Sequence, residues 1–172
     1  MRTRIWLLSS VAMALALTSC STQPSADDAA HRDLARAASE LRDGMAELSK
    51  SYDTAELAVA AVKAGETSFG STLIGQEGQT PRAQRGAIVY AVKFQSDEIE
   101  IKAILQGIGV TSDWTGEDRS QVYICVVATQ ATGADQVKVE ETDCPDDVVS
   151  VTAGGAASTK AASIDDLGFE RP

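Results

Sequence analysis

Few side chains in this sequence combine the type and spacing that chemistry needs. Gly65-Glu66-Thr67-Ser68-Phe69-Gly70-Ser71-Thr72 has the outline of a phosphate-binding loop, but Ser71 stands where that loop carries its lysine. The segment also follows a helical pattern, whereas the loop must follow a strand, so it reads as a connection. Ser68 falls outside G-x-S-x-G, and no Ser-x-x-Lys occurs. The only histidine, His31, reads as a surface helix residue. Carboxylates cluster at Asp27-Asp28, Glu98/Glu100, Glu140-Glu141, Asp143, Asp146-Asp147 and Asp165-Asp166. A hydrolase would need two of them set apart in a cleft, one with a raised pKa, and no pair stands out from a solvated acidic surface. Asp113-Trp114-Thr115-Gly116-Glu117-Asp118 and the stretch from Glu140 to Asp147 are acidic enough to consider for calcium, but neither matches an EF-hand loop. No catalytic residue, metal or cofactor is therefore assigned.

The cysteines are more informative. There are three: Cys20, Cys125 and Cys144. Cys125 lies in the β-branched run Gln121–Thr129, which has strand character. A second run begins at Val137, and Thr132-Gly133-Ala134-Asp135 between them is a turn signal. In a hairpin centred there, opposed residues have numbers that sum to about 269, which sets Cys125 against Cys144. A disulfide is expected, closing a loop worth roughly 3 kcal/mol in the chain-entropy model. Such bonds persist in oxidising compartments. A metal site is disfavoured, because there is no Cys-x-x-Cys and His31 is distant in sequence.

The start of the chain has the layout of an export signal. Arg2 and Arg4 precede an apolar run, Ile5 to Leu17, too short to cross a roughly 30 Å hydrocarbon layer as a helix. Leu17-Thr18-Ser19-Cys20 then resembles the bacterial lipobox, with Ser19 where Gly or Ala is more usual. In that lipoprotein class the resemblance implies a diacylglyceryl thioether on Cys20 and cleavage before it. Residues 1–19 are then a signal peptide and 20–28 a lipidated tether. The competing reading is ordinary cleavage near Ala14 or Ala16. Asn is absent, Ala is abundant, and nine Arg outnumber six Lys, a composition that suggests a GC-rich genome. The helical start and the late strand cysteine with a Cys144-Pro145 pair also resemble small exported actinobacterial lipoproteins of unknown function. That resemblance brings no activity with it.

Composition narrows the partners. The chain has a net charge of −10; beyond residue 19 it has 13 Lys and Arg against 25 Asp and Glu, a net of −12. Nucleic acid is a poor partner for such a body, which lacks clustered cations to neutralise phosphates. No polybasic patch offers itself to anionic lipid. Aromatic content is 5%, so the core must be aliphatic.

The elements that position these residues follow from hydrophobic period. Leu34, Ala37/Ala38, Leu41, Met45 and Leu48 form one helical stripe over 27–50, weakened at Gly44. Asp53 with Glu56 has capping-box spacing for a second helix, which Gly65 ends. The alternative is that the first helix is a coiled-coil stalk or partner-binding arm. After a Gly-rich connection the period becomes two. Ile88, Tyr90, Val92 and Phe94 alternate on one face, Ser96-Asp97 turns, and Ile99, Ile101, Ala103 and Leu105 alternate on the next strand. Val110–Ser120 reads as a polar loop, and Val148–Val151 as a short fifth strand. The expected fold is α+β: a helical hairpin packed on an antiparallel sheet of four to five strands, with one disulfide. A single domain spans 29–151, and 152–172 is a flexible tail in which Ile164, Leu167 and Phe169 could dock one turn.

Trp114 is the one tryptophan beyond the leader. It reads as a core plug or as a partner anchor. With Tyr90 and Tyr123 it makes the candidate binding set. The function expected is a membrane-anchored extracytoplasmic lipoprotein, held by lipid on Cys20, that acts as a non-enzymatic binding or adaptor module for an envelope protein. An envelope hydrolase and a small-ligand carrier are the alternatives.

Overall fold

A computed structural model describes residues 24–67, 69, 71–72, 86–114, 116–152 and 159–167. The leader, the lipobox-like segment with Cys20, and Phe169 lie outside the described residues. No described helix is long and apolar enough to cross a membrane.

Helix α1 runs from Ala26 to Ser51. Ser25 caps it with both arms of a capping box: Ser25 Oγ accepts from the Asp28 amide at 3.1 Å, and the Asp28 carboxylate accepts from the Ser25 amide at 3.2 Å. The predicted stripe is the buried face, with Leu34, Leu41 and Met45 fully covered. Gly44 weakens helical propensity for a packing reason, since a methyl group there would sit 2.6 Å from the Phe69 ring. The helix begins earlier than the tether reading allowed, because the cap at Ser25 starts it within residues 20–28. Helix α2 runs from Ala55 to Ala64. Its N-cap is Thr54, whose side chain accepts from the Leu57 amide at 3.3 Å, and not Asp53 as the spacing suggested. Gly65 closes it in the left-handed region, as expected.

The helices cover one face of a sheet in the order β1-β2-β3-β4-β5, with β6 also paired to β4. Strands β2 (Gly86–Gln95), β3 (Glu98–Asp113), β4 (Gly116–Ala131) and β5 (Lys138–Glu141) are antiparallel. Two short strands, β1 (Ser71–Thr72) and β6 (Thr159–Ala161), join in parallel to β2 and β4. The fold is α+β, as the sequence implied.

Three local readings change. Val110–Ser120 is not a loop: β3 and β4 pair without interruption to Asp113↔Gly116, so the segment is the end of a long hairpin. Val148–Val151 lies in a helix, α3 (Asp146–Thr152), on the sheet's second face. Pro145 opens it, with its carbonyl accepting from the Val149 amide, and two aspartates occupy the first turn. The tail is partly built in, through β6 and a 3-10 turn at Ile164–Leu167 in which Leu167 is buried against the main core.

The apolar face of β2 also divides. The register shifts between Val89 and Ala91, a β-bulge at Tyr90. Ile88 and Tyr90 therefore pack on the disulfide side, while Val89 and Val92 pack under the helices.

Helix α1 packs backbone to backbone on β3. A methyl group on Gly107 would lie 2.0 Å from the Ala30 carbonyl oxygen, and one on Gly109 would lie 1.8 Å from that of Ala26. Only glycine allows the helix backbone to rest there. Two side-chain bonds clamp the same contact. Asp33 accepts from the Ile108 amide at 3.1 Å, and Ser120 Oγ donates to Asp27 at 2.9 Å. Helix and strand run antiparallel, since Ala26 lies over Gly109 while Ser49, near the other end of α1, accepts from the Gly133 amide.

The cap yields a pH-dependent prediction. Ser25 Oγ donates to the Asp28 carboxylate at 2.8 Å, and that bond, followed by the Ser25 amide bond, holds its pKa below the usual carboxylate value. A depressed folded-state pKa means the cap's contribution is complete above the ordinary carboxylate pKa and is lost as pH falls through the folded value. Amides in the first turn of α1 should lose protection, relative to their intrinsic exchange rate at each pH, as acid is added. Ser25→Ala should destabilise by about 1 kcal/mol at neutral pH and flatten that dependence. Amide exchange followed against pH in both proteins checks this.

Candidate functional site

The cysteine prediction holds. Cys125 and Cys144 are joined, with Cα atoms 5.2 Å apart. The register differs from the expected one. β4 and β5 pair residues whose numbers sum to 267, and the ladder continues to Thr142, whose amide donates to the Cys125 carbonyl. Cys144 lies two residues past that partner and closes the bond from beyond the strand's end. The bridge sits in a small second core with Ile88, Ile104 and Val148, flanked by Tyr90 and Tyr123.

The three candidate aromatics do not form one site. Tyr90 and Tyr123 share the disulfide face and are half-buried, and burial pushes the Tyr90 phenol above its usual pKa. Trp114 is far from both. It occupies the turn between β3 and β4, nine residues along β4 from Tyr123, or about 30 Å at strand rise. It is 96% exposed, so it is no core plug.

A groove at the opposite end of the sheet was not legible in the sequence. It has a volume of about 1020 Å³ and lies between the C-terminal half of α1 and the β4–β5 connection. Arg42 and Asp43 of α1, Asp135 and Lys138 of the β4–β5 segment, and Glu98 of β3 line it. Gln130 lies in its lining and is only 2% exposed. Its Nε2 donates to the Ala134 carbonyl at 2.6 Å, whereas its buried Oε1 has no hydrogen-bond partner among the described residues. A buried acceptor left in that state costs about 1–3 kcal/mol. The mixed charges favour a polar or zwitterionic ligand surface over a greasy one.

The acidic clusters stay apart. Asp113–Asp118 is the hairpin tip, whereas Glu140–Asp147 runs from the sheet edge into α3. No group of three metal-ligating side chains occurs among the described residues. His31 lies on α1. Comparison of the chain with protein-family models, curated proteins and solved structures found no match.

Proposed function

We propose that this chain is an extracytoplasmic lipoprotein, anchored to the cell membrane by lipid on Cys20, whose folded body is a non-enzymatic binding or adaptor module of the cell envelope. The observation that carries the reading is the distribution of its sulfurs. With Cys125 and Cys144 joined, the one thiol left is Cys20, at the end of Leu17-Thr18-Ser19-Cys20. A disulfide favours an oxidising compartment, and an exposed free thiol there would be reactive unless it carried a modification. Two or more acyl chains hold a protein stably at a membrane, where one holds it marginally.

The groove beside Gln130 is the binding face in this reading. A small-ligand carrier would use the same groove, but its open and charged walls suit the edge of a larger partner better.

Cys20→Ala should remove the lipid and block cleavage before residue 20, so that the intact mass becomes that of the unlipidated chain with its leader. Unchanged maturation would overturn the anchoring. For binding, Ala131→Arg places a long cation at the exposed rim of the groove without touching the core. It should abolish cross-linking to envelope components that the wild-type protein captures in place. Equal capture by both proteins would remove the groove from the proposal.

A further inference from the structure

We propose that Trp114 is a second membrane contact, set down at the headgroup level of the same bilayer that holds Cys20. The inference rests on the anchoring reading above and adds a surface and an orientation to it.

The geometry begins at the glycine contact. Ala26 lies over Gly109, and Asp27 bonds to Ser120, the partner of Gly109, so the start of α1 is level with the base of the Val110–Ser120 ribbon. β3 runs antiparallel to α1, so the ribbon continues past the helix on the side from which the N-terminal chain arrives. From Gly109 to the turn at Trp114 it extends about 17 Å at strand rise. The chain from Cys20 to Ala26 can span at most about 20 Å. The tether's full length thus lets Cys20 and the indole reach one plane, with the body standing end-on above it. Among the described residues, no other large apolar side chain of comparable exposure shares that end. Leu57 is on α2, and Phe94 adjoins the Ser96-Asp97 turn at the other end of the β2–β3 hairpin. Val110, 40% exposed, is on the ribbon with Trp114.

An indole suits this position because it pairs an apolar body with one N–H donor, the combination enriched at membrane–water interfaces. One side chain would hold weakly alone. The lipid on Cys20 supplies a high local concentration, so the second contact fixes orientation and need not supply affinity. Charge sets the lipid preference. Glu117 and Asp118 are exposed on the ribbon, and Asp27 and Asp28 occupy the first turn of α1. Arg119 pairs with Glu117. This acidic end favours neutral headgroups over anionic ones, and salt should weaken the discrimination. End-on standing also points the Gln130 groove away from the bilayer.

Loss of the leader removes Trp6, so the emission of the mature chain belongs to Trp114 alone. The test uses the protein extracted from its own membrane, its acylation established by intact mass, and reconstituted in phosphatidylcholine vesicles. Emission should shift to the blue relative to soluble Cys20→Ala protein prepared without residues 1–19, which likewise lacks Trp6. Bromine-labelled acyl chains should reduce it roughly twofold, as expected for a ring at the interface. Anionic lipid should reverse part of the shift at low salt. A spectrum and iodide quenching equal to those of the Cys20→Ala protein would overturn the proposal. Shielding that arises only when envelope proteins share the vesicle would also overturn it and assign the indole to a protein partner. An unmodified Cys20 in the mass would overturn the anchoring reading and leave the geometry open to its own trial. Coupling that thiol to a maleimide lipid in the same vesicles restores the tether, and the same quenching then decides for or against Trp114.

Discussion

Gly109→Ala is expected to destabilise the fold by about 3 kcal/mol or more, as is Gly107→Ala, because each adds a methyl group where the α1 backbone already stands. The obstructing atoms are the carbonyl oxygens of Ala26 and Ala30 and the backbone nitrogens of Ala30 and Leu34, at 1.8–2.6 Å from the added carbon. A side chain in the way could change rotamer. A helix backbone can only lift, and lifting breaks the bonds from Ile108 to Asp33 and from Ser120 to Asp27. For a domain of this size, 3 kcal/mol corresponds to a fall in Tm of roughly 6–12 °C. The two substitutions should be less than additive when combined, since one lifted helix relieves both clashes. Urea denaturation of the two single variants and the double variant measures this. Retained stability in Gly109→Ala would mean that α1 does not rest on β3 as described.

Removal of the disulfide is the second large effect. The Cys125→Ser, Cys144→Ser double variant should lose about 3 kcal/mol, the chain-entropy value for a loop of 19 residues. Wild-type protein treated with a thiol reductant should fall to the same stability, whereas the double variant should not respond to reductant at all. The loss should be felt first on the second face. Its core is small, with Ile88, Ile104, Cys125 and Val148 buried and Tyr90 and Tyr123 at the margin. Burial of Val148 depends on α3 being held close by the neighbouring bridge. Tyr90 and Tyr123 should accordingly report the loss in near-ultraviolet circular dichroism before the helices melt. Coincident loss of both signals would show that the second face is not a separate weak point.

How much of this was legible in the sequence depended on whether one face of an element is buried. The stripe on α1 and the alternation from Ile99 to Leu105 were readable because each sets apolar residues against solvent. The Val110–Ser120 ribbon was not, since it projects beyond β2 with Glu117, Asp118 and Arg119 exposed and so lacks period-two alternation. Its approach glycines, Gly107 and Gly109, look like breakers in a sequence and are packing contacts in the fold. The bulge at Tyr90 left no signal, because one inserted residue preserves composition while exchanging faces. α3 was hidden by β-branched residues, whose strand preference yields here to the Pro145 start and the apolar contact of Val148. Of the candidate site residues, the sulfur pair was predictable from turn placement alone, though its true register is two residues off. The Gln130 groove was not predictable. It arises where α1 and the β4–β5 connection diverge, a property of tertiary packing.

Asp33 has a further role. Among the described residues β3 has no β2 partner beyond Gln106, and the Ile108 amide lies on that margin. In the anchored form proposed above, copies of the chain would be crowded into two dimensions, where such an amide is an invitation to stack. The carboxylate of Asp33, itself paired with the Arg36 guanidinium, already accepts from that amide and so occupies the donor that a newcomer would use. The same bond that seats the helix thus guards the ribbon's flank against self-association, and Asp33→Ala should fail in both respects together.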